Sequence, residues 1–363
     1  MRARFITALI VLLGLSLTAP SQEVPPTQPA TQPVPTFTQA EFLSQLSNFR
    51  ARGSVKINPG IYEINNSIVL TFAGTYDMTG VELRGRKGTL IWIRGSGIEL
   101  IGPTFNSDQP ATRPQGKNPK VNVQGVIVAG KDVKIVDATW RNIDTGIQLF
   151  PGQRNLTIIN PTFTTEIRGN ALYCGGGDEK VPRGDVLWIG GSVGNSNQEQ
   201  NIRCSTPGFS NLEIRGVTFR NTNGKEAFGF RTGHGAKLID CTFWGKFPAF
   251  LGSGLPQPLE ACGDITFDHC HFMDGPIAVR YCKDVQVLDC DFRTDLTPVT
   301  VSDADNVTVR GIKRIREQSD DKPFAKDTTK TQRAIKDLGG HSVEPPKERE
   351  KKEKEKDKED RDK

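Results

Sequence analysis

The chain has 363 residues, of which 36% are hydrophobic, and a formal net charge of +5. This charge is modest for the length and gives no argument for nucleic-acid binding. The length suits two average domains, but an array of short repeats can be this long as one domain. The 37 glycines fit a chain that bends often.

The N-terminal region has the pattern of an export signal. Basic residues precede an apolar run over residues 5–17, which is shorter than the ~20 residues of a membrane span. We therefore expect a signal peptide over 1–19 and no membrane span in the mature chain; an uncleaved anchor is the alternative. Residues 20–36 are rich in Pro, Thr and Gln, which predicts an extended linker. The mature protein would be secreted, periplasmic or on the cell surface.

A short amphipathic helix is predicted after the linker. Thr38 as N-cap and Glu41 three residues later fit a capping box, and Phe37 with Phe42 fits a hydrophobic staple. A helix in front of a strand array would cover the open end of its core.

One nine-residue motif recurs through the middle of the chain. Its first and sixth residues are almost all Asn, Asp or Gly, which adopt left-handed backbone at low cost, so both positions predict bends. Apolar and polar residues alternate between the bends, which predicts a short strand, and positions seven and nine are expected to face inward. The copies cover residues 97–105, 132–140, 155–163, 185–193, 211–219, 235–243, 264–272, 284–292 and 306–314.

A third strand precedes most copies, so that three strands and three bends close one coil. These strands are predicted at 146–150, 171–174, 201–204, 227–231, 276–280 and 298–302. The longer insertions are 106–120, 175–184, 194–200 and 253–263. Because a rigid scaffold usually displays its functional residues on loops, these insertions are the first places to look for function.

The coil pattern and the segment NPGIYEI at 58–64 resemble the pectin-lyase-like right-handed parallel β-helices. The resemblance covers about residues 38–315 and includes no catalytic motif of that family. It implies an all-β fold, a single-stranded right-handed parallel β-helix with an N-terminal capping helix, over 37–315. Residues 316–363 are expected to be a charged, largely disordered tail.

The register predicts two inward rows. Aromatic residues at position nine are expected to stack in the core: Phe163, Phe219, Phe243, Phe272 and Phe292. Three cysteines share position seven and are expected to form an inward ladder: Cys241, Cys270 and Cys290.

The other four cysteines give two disulfide candidates. Cys262 and Cys282 each lie two residues before a motif, and Cys174 and Cys204 match in neighbouring third strands. An exported chain favours disulfides, but strand neighbours with parallel side chains have unfavourable geometry for one. The alternative is free, buried thiols.

Outward positions on the third strands and in the turns beside them suggest a surface for an acidic sugar chain. Guanidinium groups bind carboxylate or sulfate in a fork, and sugar rings stack on aromatic rings. The catalytic candidates are Arg203, Arg231, Arg280 and His234. The substrate-binding candidates are Tyr173, Lys225, Glu226, Trp244 and Tyr281. The alternative is that exposed arginines only keep the sheet soluble.

The resemblance implies a chemistry for such a surface. Uronate lyases and related enzymes of this superfamily take a proton beside a carboxylate that Ca²⁺ or cationic groups neutralise, so Ca²⁺ is a possible cofactor. A second candidate, a divalent-metal site, comprises His269, His271, Asp289 and Asp291. Its alternative is a surface ladder of polar contacts.

The Gly-His-Gly at 233–235 resembles the histidine motif of polygalacturonases, but the paired aspartates of that family are absent from the preceding coils. Two functional hypotheses follow. The first is an exported monomer that binds an acidic extracellular polysaccharide through an outward Arg/Tyr face and cleaves or epimerises it. The second is a non-catalytic glycan-binding or cell-surface structural β-helix.

Overall fold

The computed structural model describes residues 33–51, 53–107, 123–164, 167–176, 181–196, 199–222, 224–314 and 325–327. The predicted signal peptide, most of the linker and most of the tail lie outside the described residues. Within the described ranges, no helix has the length and apolar character needed to cross a membrane.

The strands form a right-handed parallel β-helix of about 10 coils, which confirms the predicted fold. Each strand pairs in parallel with its counterparts in adjacent coils. The strands, numbered in chain order, belong to three faces, here called sheets 1, 2 and 3. Sheets 2 and 3 are joined because two long strands, β19 (Ile202–Arg215) and β21 (Phe228–Ile239), pass through both.

Sheet 1 contains β1 (Thr36–Thr38), β3 (Gly60–Ile64), β6 (Val81–Gly85), β9 (Thr104–Ser107), β12 (Thr139–Arg141), β15 (Thr162–Phe163), β18 (Ser192–Val193), β20 (Thr218–Arg220), β22 (Thr242–Trp244), β25 (His271–Phe272), β28 (Asp291–Phe292) and β31 (Lys313–Arg314).

Sheet 2 contains the first halves of β19 and β21 together with β4 (Ile68–Leu70), β7 (Gly88–Ile93), β10 (Val123–Val128), β13 (Thr145–Leu149), β16 (Leu172–Cys174), β23 (Ala249–Gly252), β26 (Ile277–Arg280), β29 (Val299–Ser302) and β32 (Ala325–Asp327).

Sheet 3 contains the second halves of β19 and β21 together with β2 (Ser54–Lys56), β5 (Gly74–Asp77), β8 (Ile98–Ile101), β11 (Lys131–Val136), β14 (Arg154–Ile159), β17 (Arg183–Ile189), β24 (Cys262–Asp268), β27 (Lys283–Leu288) and β30 (Asp305–Arg310).

The predicted bends are confirmed at the first and sixth positions of the motif. Each of these residues has a φ between 48° and 73°. They are Gly97, Gly102, Asp132, Asp137, Asn155, Asn160, Asp185, Gly190, Asn211, Gly216, Gly235, Asp240, Asp264, His269, Asp284, Asp289, Asn306 and Gly311. The sixth position therefore turns the chain from sheet 3 into sheet 1 with a single residue.

Side chains at the first bend also contact one another between coils. The amide of Asn155 donates to the carboxylate of Asp132 at 2.8 Å, and Asn211 donates to Asp185 at 2.8 Å. Asn306 makes the same contact with Asp284 at 2.5 Å. An amide therefore bonds a carboxylate of the preceding coil at these three junctions, whereas Asp264 and Asp284 place two carboxylates side by side.

The aromatic row of the core is confirmed and is longer than predicted. Rings stack from Phe105 through Trp140 to Phe163, with the last two centroids 4.3 Å apart. The row is interrupted at Val193, and the buried ring of Trp188 fills the gap, with its centroid 5.7 Å from that of Phe163. Stacking then continues through Phe219, Phe243, Phe272 and Phe292.

The predicted helix is α1 (Gln39–Ser47), which is followed by a short 3₁₀ turn (Asn48–Ala51). Thr38 and Glu41 form the expected capping box. The contact expected between Phe37 and Phe42 includes a third ring. Tyr62 lies between them, and its ring centroid is 4.9 Å from that of Phe37 and 5.2 Å from that of Phe42. Phe42 is fully buried. That the helix covers the end of the core stays a prediction.

One short segment of the C-terminal region is described beyond sheet 1. Sheet 2 continues into β32, whose three residues pair in parallel with β29, within the range expected to be a largely disordered tail. The open edge of β29 offers unpaired main-chain groups, which explains why a short strand can add there. A second 3₁₀ turn (Leu259–Ala261) lies in the insertion before β24.

Candidate functional site

The outer face of sheet 2 is flanked by loops on both edges. Loops that join sheet 1 to sheet 2 lie along one edge, and loops that join sheet 2 to sheet 3, including the segment 253–261, lie along the other. Its central line of side chains, here called the outer row, follows the strand register. The outer row comprises Val69, Trp92, Ile127, Gln148, Tyr173, Arg203, Gly229, Phe250, Ala278 and Thr300.

The predicted aromatic and basic residues meet at the middle of the outer row. Tyr173 and Arg203 are register partners, and the guanidinium carbon of Arg203 lies 5.8 Å from the centre of the Tyr173 ring. The same guanidinium donates from Nη1 to Oε2 of Glu199 at 3.2 Å. The cation is therefore held over the face by a ring and a carboxylate.

A second carboxylate lies in the next coil. Oε2 of Glu226 accepts a hydrogen bond of 3.0 Å from Nε2 of Gln200, the residue beside Glu199. The buried side chain of Asn221 supports both carboxylate residues, because Nδ2 donates to the main-chain oxygens of Glu199 and Glu226 at 3.1 Å.

The other two predicted arginines do not join the outer row. The pairing of β19 with β21 shifts register between Cys204 and Ser210, so Arg231 falls at the irregularity. Arg280 is the partner of Gly252 and Ser302, one alternation beyond the outer row.

The insertion before β24 connects the segments that carry these two arginines. Nε2 of Gln257 donates to the main-chain oxygen of Arg231 at 3.0 Å and to that of Tyr281 at 3.2 Å. Arg280 stacks on the Tyr281 ring at 5.1 Å. Tyr281 has a φ of 51°, which is uncommon for an aromatic residue.

The remaining candidates lie apart from the outer row. His234 lies at the corner of sheets 2 and 3, where Nδ1 is 3.3 Å from Oδ2 of Asp264. Lys225 is exposed in the turn before β21. Trp244 belongs to sheet 1, where Arg220 stacks on its ring at 5.5 Å, so it is not part of the sheet 2 face.

Sequence reasoning missed the amide and aromatic residues in the earlier coils of this face. The hydroxyl of Thr89 donates to Gln124 at 3.0 Å, and Gln124 donates to Gln148 at 2.9 Å. Trp92 packs edge-on against Phe150 at 5.8 Å. Glu199 and Gln200 were missed as well. The strand alternation would have placed Trp92 and Gln148 outward, whereas nothing periodic marks a loop residue such as Glu199.

The predicted metal residues separate into two groups. Carboxylate and imidazole atoms of Asp268, His269 and Asp289 lie within 4.8 Å of one another, whereas His271 pairs with Asp291 at 3.1 Å. The hydrogen bond from His269 to Asp268 raises the pKa of this exposed histidine. Ca²⁺ takes 6–8 oxygen ligands, and this group offers an imidazole with two carboxylates, so its residues alone do not suit Ca²⁺.

The predicted inward ladder of Cys241, Cys270 and Cys290 is buried, and neither predicted disulfide is at bonding distance. All seven lie in described segments and carry free thiols. The Sγ atoms of Cys262 and Cys282 are 3.1 Å apart, beyond the ~2.05 Å of a disulfide. Cys174 and Cys204 are parallel strand partners, a geometry that disfavours the bond. Burial, followed by the nearby Cys174 thiol, raises the pKa of Cys204 well above its ordinary value.

Comparison with solved structures supports the fold. The DFA-IIIase from Arthrobacter chlorophenolicus A6 in complex with GF2 matches with a TM-score of 0.52 and 8% identity, over 82% of this chain and 91% of that chain. The match shows the parallel β-helix fold.

Two further structures are similar at lower scores. The A-module of the mannuronan C-5 epimerase AlgE4 from Azotobacter vinelandii has a TM-score of 0.48 and 11% identity, over 84% of this chain and 94% of that chain. PfbA, a surface adhesin of Streptococcus pneumoniae, has a TM-score of 0.48 and 11% identity, over 80% and 87%. No protein-family model and no curated protein sequence matches this chain significantly.

Proposed function

We propose that this protein is exported and binds an acidic polysaccharide along the outer face of sheet 2. The observation that carries the proposal is the register pairing of Tyr173 with Arg203 on the outer row. A ring beside a guanidinium offers a stacking surface for a sugar and a fork for its carboxylate or sulfate.

Other residues extend this surface along the coils. Arg231 and Arg280 add two cations on the same side of the coil, and Trp92, Phe150 and Phe250 add rings in other coils. A linear face of this kind suits a polymer better than a small molecule, because equivalent positions repeat from coil to coil. The similarity to solved structures shows the fold alone, so these residues carry the proposal.

A second candidate function is non-catalytic binding, as in a cell-surface structural β-helix. The observation that favours it is that two of the predicted catalytic arginines are already engaged. Arg203 is paired with Glu199, and Arg280 is stacked on Tyr281. A group held in this way is well placed for binding and poorly placed to accept a proton.

Binding can be tested with defined polymers. Polygalacturonate, alginate, hyaluronan and dextran sulfate would be titrated into the purified protein by calorimetry, with dextran as the neutral control. We expect at least one acidic polymer to bind, with affinity falling as salt rises. Arg203→Ala should weaken binding about 10-fold or more, since it removes charge-assisted hydrogen bonds.

The matched control is Arg215→Ala. Arg215 also pairs with a glutamate, Glu213, but lies on the outer face of sheet 3. Its replacement should leave binding unchanged. Failure of all four acidic polymers to bind, or equal losses in both variants, would overturn the proposed function.

A further inference from the structure

We propose that Glu199 and Glu226 form an acid–base pair that hydrolyses a glycosidic bond of the bound polysaccharide. This inference rests on the proposed function and adds a reaction to it. It differs from the elimination or epimerisation that the arginines of the face would suggest.

Both carboxylates belong to adjacent coils at the same edge of sheet 2. Gln200 and Glu226 precede the register partners Ile202 and Phe228 by two residues each, and Glu199 is the neighbour of Gln200. Asn221 binds the main chain of both glutamates, so the two loops are fixed relative to each other. Hydrolysis needs two carboxyl groups held on either side of a bond, which rigid neighbouring loops can provide.

Their surroundings differ in charge. Glu199 accepts from the guanidinium of Arg203, whereas Glu226 accepts from the neutral amide of Gln200. Pairs of carboxyl groups in unlike environments are the pattern from which one acid and one base arise. Because Glu226 accepts from a neutral amide, we assign it as the proton donor, and Glu199, which accepts from a guanidinium, as the proton acceptor.

Gln200 gives independent support. Its side chain is only 3% exposed, and its Oε1 is buried without a hydrogen-bond partner among the described residues, while Nε2 holds Glu226. A buried amide that leaves one of its own groups unsatisfied costs stability. Such a cost is tolerated where a neighbouring functional group has to be positioned.

The reaction balances with water as the co-reactant. Glu226 gives its proton to the glycosidic oxygen as the bond from that oxygen to the anomeric carbon breaks. Glu199 takes a proton from water as the water oxygen bonds to the same carbon. The products are a reducing sugar end and a free hydroxyl group, and no double bond forms. Arg203 stays protonated and holds Glu199.

The test measures two products from the same polymers. The wild-type protein is incubated with polygalacturonate, alginate, hyaluronan and dextran sulfate, and reducing ends and the ultraviolet absorbance of unsaturated sugars are followed together. We expect reducing ends without absorbance from a polymer that binds. Glu199→Gln and Glu226→Gln should each lower kcat by about 10²-fold or more, with affinity within twofold of wild type.

Glu213→Gln is the matched control, because Glu213 also accepts from an arginine but lies on sheet 3, and its activity should equal that of wild type. Circular dichroism and the melting temperature check that each variant folds; Glu199→Asp replaces Glu199→Gln if that variant does not. Binding without any reducing ends, an absorbing product, or full activity in both Gln variants overturns the acid–base pair and leaves the proposed function standing. Absence of binding overturns both.

Discussion

Asn221 ties together the two segments that carry the carboxylates of the candidate site. It is fully buried, and both hydrogens of its amide are used on the main chain of the two loops that present Glu199 and Glu226. Its own backbone is fixed by Trp244 in the next coil. Three consecutive coils are thereby linked at this residue, so the main chain at both carboxylates is anchored to the solenoid.

The protonation of His269 gives a prediction that depends on pH. Its pKa is raised above 6.5, first by the hydrogen bond with Asp268 and then by the charges of Asp268, Asp289 and Asp240. A raised pKa in the folded state means that this contact stabilises the fold below pH 6.5 and that its contribution is lost as pH rises through the folded pKa. We expect Asp268→Asn to bring the pKa back towards 6.5 in an NMR titration of the histidine ring.

Asp291→Asn is the control for this measurement, because Asp291 contacts His271 and not His269. Its replacement should leave the His269 titration in place. The assignment is practical, since the chain has only 4 histidines. Equal shifts in the two variants would contradict the assigned cause.

The local conformation of most residues could be predicted from the sequence. Asp132 and Asn160 were expected to bend the chain because their residue types accept left-handed backbone, and both do. The contacts of Glu199 could not be predicted. They depend on where a loop of irregular length meets Arg203 and Asn221, and this follows from packing between coils.

Trp188 compensates for a gap in the stacked aromatic row of the core. Position nine of its coil is Val193, which is too small to stack between Phe163 and Phe219. Trp188 enters the gap from the neighbouring strand, with its centroid 5.7 Å and 6.0 Å from the two phenylalanine rings. The row stays filled although its register position is not aromatic.

Replacement of Trp188 tests this compensation. Trp188→Ala would leave a cavity between two rings and should lower the free energy of unfolding by about 3–5 kcal/mol. Trp244→Ala, which removes a partly exposed indole from the outer side of sheet 1, should cost about 1 kcal/mol or less. Chemical denaturation followed by circular dichroism measures both. Similar costs would show that Trp188 does not fill the core.

The repeat predicts the order of the strands and the inward rows of side chains, but it predicts the outward side chains only in part. Tyr173 and Arg203 were expected to match, and they do. Arg231 was expected to continue their row, but Gly229 is the register partner of Arg203, and Arg231 lies two residues further on, where the pairing of β19 with β21 shifts. An irregularity of this kind depends on main-chain pairing and leaves no mark in the alternation of side chains.

For the whole molecule, the N-terminal end of the coil stack is where strand edges would be open to another chain. Helix α1 lies at this end, with Phe42 buried against Tyr62. The next residue, Leu43, is 46% exposed. Substitution of Phe42 therefore tests the attachment of the helix, whereas substitution of the adjacent Leu43 changes only exposed apolar surface.

We expect Phe42→Ser to destabilise the protein by about 3 kcal/mol or more and to cause self-association, because the helix loses its anchor and the strand edges become accessible. Leu43→Ser should keep the oligomeric state of the wild-type protein with little change in stability. Light scattering coupled to size-exclusion chromatography separates the outcomes. A stable Phe42→Ser variant with the wild-type oligomeric state would argue against a covering role for the helix.

The amide–carboxylate pairs along the first bend distinguish the junctions between neighbouring coils. Asp132 with Asn155 and Asp284 with Asn306 each form a two-coil unit held by one hydrogen bond. Asp264 and Asp284 instead lie side by side as two carboxylates, because the residues that flank them are register partners. Like charges opposite each other in neighbouring strands are destabilising, so the coils should separate more readily at this junction than at those closed by Asn155 or Asn306.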